Sequence, residues 1–387
     1  MSTYINPDLV ERVINLAETI QGIPAPSLDE GERSIFIKSQ FEGVGLSNVL
    51  VDGIGNVYGR LSGAGGACPL VISAHLDTVF SRGTDLSGRR DGDKIYGPGI
   101  GDNSLGVAGL IGLFWALCQR DSSRGRSGDA PDMLPCLPGD IWLVANVGEE
   151  GLGDLMGMRT VVDRFSKDAL AYIVLEGLAL GQVYNRGLGV RRYRISSHTV
   201  GGHSWVDFGQ PSAINELAAL IMRLTGLETP ERPRTTFNVG VISGGISVNT
   251  IAPQAHMELD LRSEGAGELK ELARRIEGLV REGNQPGIQF TYEVIGDRPT
   301  GEIPAAHPLV ELAMHSLRSQ GIQPHLNIGS TDANVPLSRG FPAVCVGLST
   351  GHGAHTVDEY IDAAPLALGL AQLVDLVEGA FEIYVSS

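Results

Sequence analysis

Six residues of this chain have the side chains that hold cations or move protons: His75, Asp102, Glu149, Glu150, Glu176 and His355. Most of them follow short apolar runs. Residues 71–74 lead into His75, residues 140–147 into Gly148-Glu149-Glu150-Gly151, and residues 171–175 into Glu176-Gly177. Runs of this kind read as buried strands of a parallel sheet. Their ends then converge on the C-terminal edge, where open α/β sheets bind ligands. Period-two geometry puts His75 and Asp77 on the same side of their strand. That suits an imidazole ligand whose second nitrogen is steered by a carboxylate, with a capping or surface pair as the plain alternative. Asp102 alone reads as an N-cap or turn residue, and surface glutamate pairs are common. The coincidence of three strand ends is what argues for a site. Mixed imidazole and carboxylate donors suit zinc, or manganese and cobalt as substitutes. Six such residues exceed the needs of one tetrahedral zinc. They fit two cations about 3.5–4 Å apart that share a carboxylate and a hydroxide, which leaves one glutamate of the pair as general base.

The elements that must position these residues are legible from pattern and capping. Asn6 and Pro7 open a helix as N-cap and first residue. Ser27 and Glu30 predict a capping box for a second helix reaching about residue 41. Short strands at 48–52 and 56–61 precede the His75 strand. The Gly-rich stretch 96–104 feeds an apolar helix at 105–118, and 119–139 reads as an exposed loop. From about residue 187 the order becomes strand 190–197, helix 212–224, strands 235–242 and 255–262, helix 268–280 and strand 288–295. That β-α-β-β-α-β order is the ferredoxin-like split unit, read as an insertion. Helix 307–320, strand 325–328, turn 329–334, strand 342–346, loop 351–359 and helix 365–381 then resume the α/β alternation.

A length of 387 residues exceeds one ordinary core and implies two domains. Acidic residues outnumber basic ones 45 to 29, and the net charge of −16 argues against nucleic acid as a partner. Residues 1–8 show no signal peptide, and no apolar run looks long enough to cross a bilayer. Cys68, Cys118, Cys136 and Cys345 lack C-x-x-C spacing. A cytoplasmic protein with neither membrane nor nucleic-acid partners is the expectation.

Seven motifs together carry a resemblance: AHLDTV, GPGIGDN, VGEEG, VLEG, GGHS, GSTDAN and HTVDEY. As a set they resemble the dizinc peptidase and aminoacylase family that includes carboxypeptidase G, peptidase T, aminoacylase and the acetylornithine and succinyl-diaminopimelate deacylases. The likeness covers nearly the whole chain. It implies an α/β, mixed-sheet catalytic domain from residues 1–186 and 298–387, with an inserted ferredoxin-like lid and dimerisation domain at 187–297. It implies two Zn2+ ions bridged by Asp102, one completed by His75 and Glu176, the other by Glu150 and His355. Asp77 would orient His75, and Glu149 would shuttle the proton from water to leaving amine. The lid histidine matches His203, which would stabilise the oxyanion from the partner subunit of a homodimer.

Asn249 resembles a second polar lid contact. Arg298, before Pro299 at the lid's exit hinge, could grip a substrate carboxylate in a bidentate fork, with Arg262 as runner-up. Gly329 and Ser330 begin a turn whose amides would face the substrate, and His352 is taken as structural. Two departures bear on specificity. Residue 103 is Asn where many relatives have Asp, and Glu176 matches the carboxypeptidase and deacylase members, whereas aminopeptidase-like members tend to Asp. The expected activity is therefore hydrolysis of an amide bond in a small peptide or N-acyl amino acid. A di- or tripeptide aminopeptidase, which TDAN also resembles, and a catalytically silent metal-binding scaffold are the alternatives.

Overall fold

The computed structural model of the protein describes residues 3–123 and 137–385. It divides into two compact units, Met1–Gly187 with Gly301–Ser387, and Leu188–Thr300. The first is built on a nine-stranded mixed sheet. Four neighbouring strands at its centre run parallel: Gly139–Asn146, Ala67–His75, Ala171–Glu176 and Ala343–Gly347. Leu70–Ala74 are almost completely buried, as a parallel strand covered on both faces must be. Antiparallel strands Val57–Leu61 and Ser47–Val51 extend one side. Gln182–Gly187 and Gly301–Glu302 extend the other, with His325–Gly329 parallel to Gln182–Gly187.

Helices Pro7–Gln21, Leu105–Ser123 and Leu366–Val385 pack on one another, and the last two also reach the sheet. Pro7–Gln21 begins as its sequence requires, with the Asn6 side chain accepting from the Asp8 amide. Helix Leu105–Ser123 runs past the expected end at 118, so residues 119–123 of the expected loop are helical; residues 124–136 lie outside the described residues. The stretch Ile100–Gln119 is long and apolar enough to cross a membrane, contrary to the expectation for this chain. It is a core helix, almost wholly buried against Pro7–Gln21, Leu366–Val385 and the sheet.

A small antiparallel sheet, unpredicted because its strands are two or three residues long, joins Arg89–Asp91, Lys94–Tyr96, Tyr360–Asp362 and Gly351–His352. Its register sets Tyr360 opposite Tyr96. The expected capping box is also absent. Helix Gly31–Gly43 has no side-chain cap, because Ser27 and Glu30 both turn away towards the loops that follow the parallel strands.

In the second unit the strand order is Thr235–Gly244, Gln254–Ser263, Gly189–Thr199, Ile288–Arg298, all antiparallel. Helices Ala213–Thr225 and Ala266–Glu282 cover one face, which completes the ferredoxin-like arrangement. Alternation does the sorting: Ala255, Met257, Leu259 and Leu261 are buried, while Glu258 and Asp260 pair across the outer face with Arg194 and Arg192. Strand Ile288–Arg298 outlasts its expected end at 295, so this unit closes at Thr300 rather than 297.

Candidate metal centre

Each central parallel strand ends beside a chemical group. His75 is the last residue of its strand and lies opposite Asn146, which leads into Glu149 and Glu150. Glu176 ends the next strand, opposite Gly347. Asp102 arrives on the Gly-rich loop before the core helix, and His355 on the loop ahead of Tyr360. His75 Nε2 stands 3.1 Å from Asp102 Oδ1 and 3.7 Å from Glu176 Oε2. His355 Nε2 stands 3.0 Å from Asp102 Oδ2 and 2.9 Å from Glu150 Oε1. The five residues thus form two triplets, His75–Asp102–Glu176 and Asp102–Glu150–His355, in each of which the ligand atoms lie within 4.8 Å of one another. Asp102 belongs to both. A Glu149 oxygen lies within the same distance of His75 and Glu150.

The electrostatics ask for positive charge at this spot. Burial would lower the His75 pKa, but the hydrogen bonds to Asp102, Asp77 and Glu176 hold it well above the usual imidazole value. His355 is pushed up to about 10 by Asp102 and then Glu150. Burial tends to raise Asp102, yet the bonds from His355 and His75 keep its carboxyl well below the ordinary range. Burial carries Glu176 the other way, up to about 7, with the charges of Asp102 and Asp332 adding to the rise. Imidazole nitrogens and carboxylate oxygens in two triplets are the donors divalent metals of the zinc type take, so the residues fit a pair of cations.

A second layer holds these groups in place. Asp77, completely buried, accepts the Glu149 amide at Oδ1 (2.9 Å), and the Glu150 amide (2.8 Å) and Ser27 hydroxyl (2.6 Å) at Oδ2. Its main-chain oxygen lies 3.1 Å from His75 Nδ1 and its Oδ1 3.4 Å away. Asp77 therefore grips the Glu149-Glu150 turn as well as facing the His75 ring. Glu30 Oε1 accepts the Gly148 amide at 3.1 Å. Asn103 brackets Glu176: its Nδ2 donates to the Leu175 carbonyl at 2.8 Å, and its Oδ1 accepts from the Gly177 amide at 2.9 Å. Asp332, also fully buried, accepts from Asn146 Nδ2 at 2.7 Å. These roles were hidden because each depends on loops distant in sequence meeting in space; only membership of the motifs GPGIGDN and GSTDAN marked Asn103 and Asp332.

The remaining expected residues fall as follows. Gly329 ends strand His325–Gly329 and Ser330 follows it, but the amides of Thr331, Ala333 and Asn334 donate within the turn rather than outward. His352 is exposed on the small sheet, opposite Tyr360. In the second unit His203 and Asn249 are brought together, since the Ser204 amide donates to the Asn249 carbonyl and Gly202–His203 pairs with Thr250–Ile251. His203 Nδ1 accepts the amides of Trp205 and Val206, which leaves the proton on Nε2, an outward donor. Arg262 is occupied by Asp260 at 2.7 Å. Arg298 is not on an exposed hinge: it is the last residue of its strand, opposite Val190, and only 5% exposed.

A parallel-sheet edge carrying two imidazoles and three carboxylates around a shared aspartate is the centre of a metallopeptidase. The chain belongs to peptidase family M20/M25/M40, which it matches over residues 71–379. It is 24% identical to the succinyl-diaminopimelate desuccinylase of Corynebacterium glutamicum, over 93% of this chain and 95% of that protein. Its fold is similar to a tripeptidase from Staphylococcus aureus, with a TM-score of 0.77, 19% identity, and coverage of 96% of this chain and 99% of that one. It is also similar to a dinuclear metal binding peptidase of the M20 family from Bacillus subtilis, with a TM-score of 0.67, 17% identity, and coverage of 98% and 99%.

Asn103 offers a direct check on the second layer. Asn103→Asp replaces the donor to Leu175 with a second acceptor, and a buried carbonyl left in that position costs about 1–3 kcal/mol. The metal-free variant is expected to melt at a lower temperature than the parent at pH 8, with the gap narrowing at acid pH as the new carboxyl regains a proton to donate. Equal melting temperatures at pH 8 would contradict the bracketing role.

Proposed function

We propose that the protein hydrolyses an amide bond in a small peptide or an N-acyl amino acid, in the manner of a carboxypeptidase or deacylase. The observation that carries this reading is the pair of ligand triplets joined at Asp102 with Glu149 beside them. His75 and Glu176 would hold one cation, Glu150 and His355 the other, and Asp102 both; zinc suits this donor set, with manganese or cobalt as substitutes. The bound cations would supply an acidic water near neutral pH and a counter-charge for the scissile carbonyl. Glu149 takes the proton of the attacking water and returns it to the leaving nitrogen, the general acid–base role. Asp77 keeps His75 and the Glu149-Glu150 turn in register.

His203 would donate Nε2–H to the developing oxyanion, a task its Nδ1 hydrogen bonds favour. Asn249 beside it would hold a substrate carbonyl, and Gly329 and Ser330 would line the substrate's path. Since Arg262 is engaged by Asp260, Arg298 is the stronger candidate of the two to recognise a substrate carboxylate. Likeness to a desuccinylase along the chain, and Glu176 at its strand end, support a substrate with a free carboxylate. A reducing compartment such as the cytoplasm would preserve the exposed thiol of Cys68.

We read the working form as a homodimer joined through the second unit. Strand Thr235–Gly244 is a sheet edge, and Val241 and Ile242 on it are 46% and 56% exposed, an apolar edge of the kind that pairs with another chain.

Glu149→Ala is expected to retain metal while kcat falls by several orders of magnitude, whereas His355→Ala loses metal as well. Metal analysis beside kinetics on a panel of acetylated and succinylated amino acids, dipeptides and tripeptides reads both. An active Glu149→Ala enzyme would remove the mechanism, and release of N-terminal residues from unblocked peptides alone would turn the reading to an aminopeptidase. For assembly, light scattering should give a dimer, and Ile242→Lys a monomer of much lower activity; a fully active monomer would overturn the dimer.

A further inference from the structure

The best-bonded carboxylate around the centre is one that faces no candidate ligand atom. Glu359, completely buried, accepts three backbone amides from the loop that presents Asp102: Gly101 (2.7 Å) and Asp102 (2.8 Å) at Oε1, and Gly99 (3.0 Å) at Oε2. Its own carbonyl accepts the Gly97 amide at 2.9 Å. The small sheet explains how it comes to be there. Because Tyr360 lies opposite Tyr96, the residue before Tyr360 meets the residue after Tyr96, and the Glu359 side chain runs along the loop from Gly97 to Asp102. Gly99 can serve because its φ of +75° is open to glycine and turns its amide inward. Glu359 also stands four residues after His355, on the same short loop.

We infer that Glu359 is the positioning residue of the shared ligand: by holding the Gly99, Gly101 and Asp102 amides it sets the Asp102 carboxylate between His75 and His355, and so governs both cation sites at once. The inference rests on the two-cation reading given above. The reasoning is geometric. Fixing the Gly101–Asp102 peptide fixes the direction in which the Asp102 side chain leaves the backbone. Asp102 Oδ1 faces His75 and Oδ2 faces His355, so a rotation there misplaces a donor in each triplet. Asn103 differs, because its amide grips only the Glu176 strand end. Asp77 differs too, since it grips the Glu149-Glu150 turn. Of the carboxylates described, Glu359 alone ties the loop carrying His355 to the loop carrying Asp102 through that many amides.

Removal of groups that orient metal ligands lowers metal affinity about 10–100-fold. The test is a graded pair of variants titrated with Zn2+ against a competing chelator. Glu359→Gln keeps two of the three acceptor contacts and is expected to weaken both zinc sites about tenfold; Glu359→Ala keeps none and is expected to weaken both about a hundredfold. In Glu359→Gln, excess Zn2+ should restore kcat with KM unchanged, the signature of lost metal rather than lost chemistry. If Glu359→Ala does not fold, Glu359→Gln decides alone. Zinc affinities within twofold of the parent in folded Glu359→Gln, or weakening confined to one of the two sites, would overturn the role of Glu359 while leaving the dinuclear reading intact. A parent enzyme that binds fewer than two zinc ions would overturn that reading, and the role of Glu359 with it.

Discussion

Carboxylates crowded at one edge of a sheet repel one another unless positive charge lies among them. Asp102 has an oxygen within 4.8 Å of Glu176 on one side and of Glu150 on the other. At an effective dielectric of about 20, each such pair of charges costs about 3–4 kcal/mol. Two pairs approach the net stability of a folded domain, on the order of 5–15 kcal/mol. The imidazoles of His75 and His355 answer part of this by holding protons strongly, and divalent cations answer more of it because they add charge without requiring a proton on each ring. Metal entry and proton release are therefore linked at this site.

Around that cluster the fold spends its buried polar groups on backbone amides. Asp77 takes the amides of Glu149 and Glu150, Glu30 that of Gly148, and Glu359 those of Gly99, Gly101 and Asp102. Each acceptor comes from a different part of the chain from the amides it holds. Loops that would otherwise flex are fastened to the sheet edge, and the ligands on them inherit its rigidity. The arrangement also satisfies loop amides that would be costly to bury alone. Arg33, buried and donating to the Leu76 carbonyl at 2.8 Å, fastens the residue between His75 and Asp77 in a similar way.

Much of this was legible from residues alone, and the reason is physical. Strands buried on both faces must be apolar, so 71–74 and 171–175 stand out, and the polar residue that ends each run stands out with them. Helix Pro7–Gln21 announces itself through Asn6 and Pro7, and the ferredoxin-like order through alternation between two helices. What escaped was interaction between segments. Ser27 and Glu30 have the spacing of a capping box, yet Asp77 and Gly148 compete for them and win. Glu359 was weighed only as a partner for His355, because nothing local reveals that three amides from residues 99–102 point at it. Arg298, read as a hinge residue from the proline after it, is held in a strand whose length depends on its pairing with Gly189–Thr199. Strands of two or three residues, such as Gly351–His352, carry too little pattern to be seen at all.

The central claim is that one aspartate is shared by two metal sites. The direct measurement is an anomalous diffraction map of crystals grown with Zn2+, collected on both sides of the zinc absorption edge. Two peaks flanking the Asp102 carboxylate are expected, one against His75 and Glu176 and the other against Glu150 and His355. A single peak, or zinc bound without contact to Asp102, would contradict it.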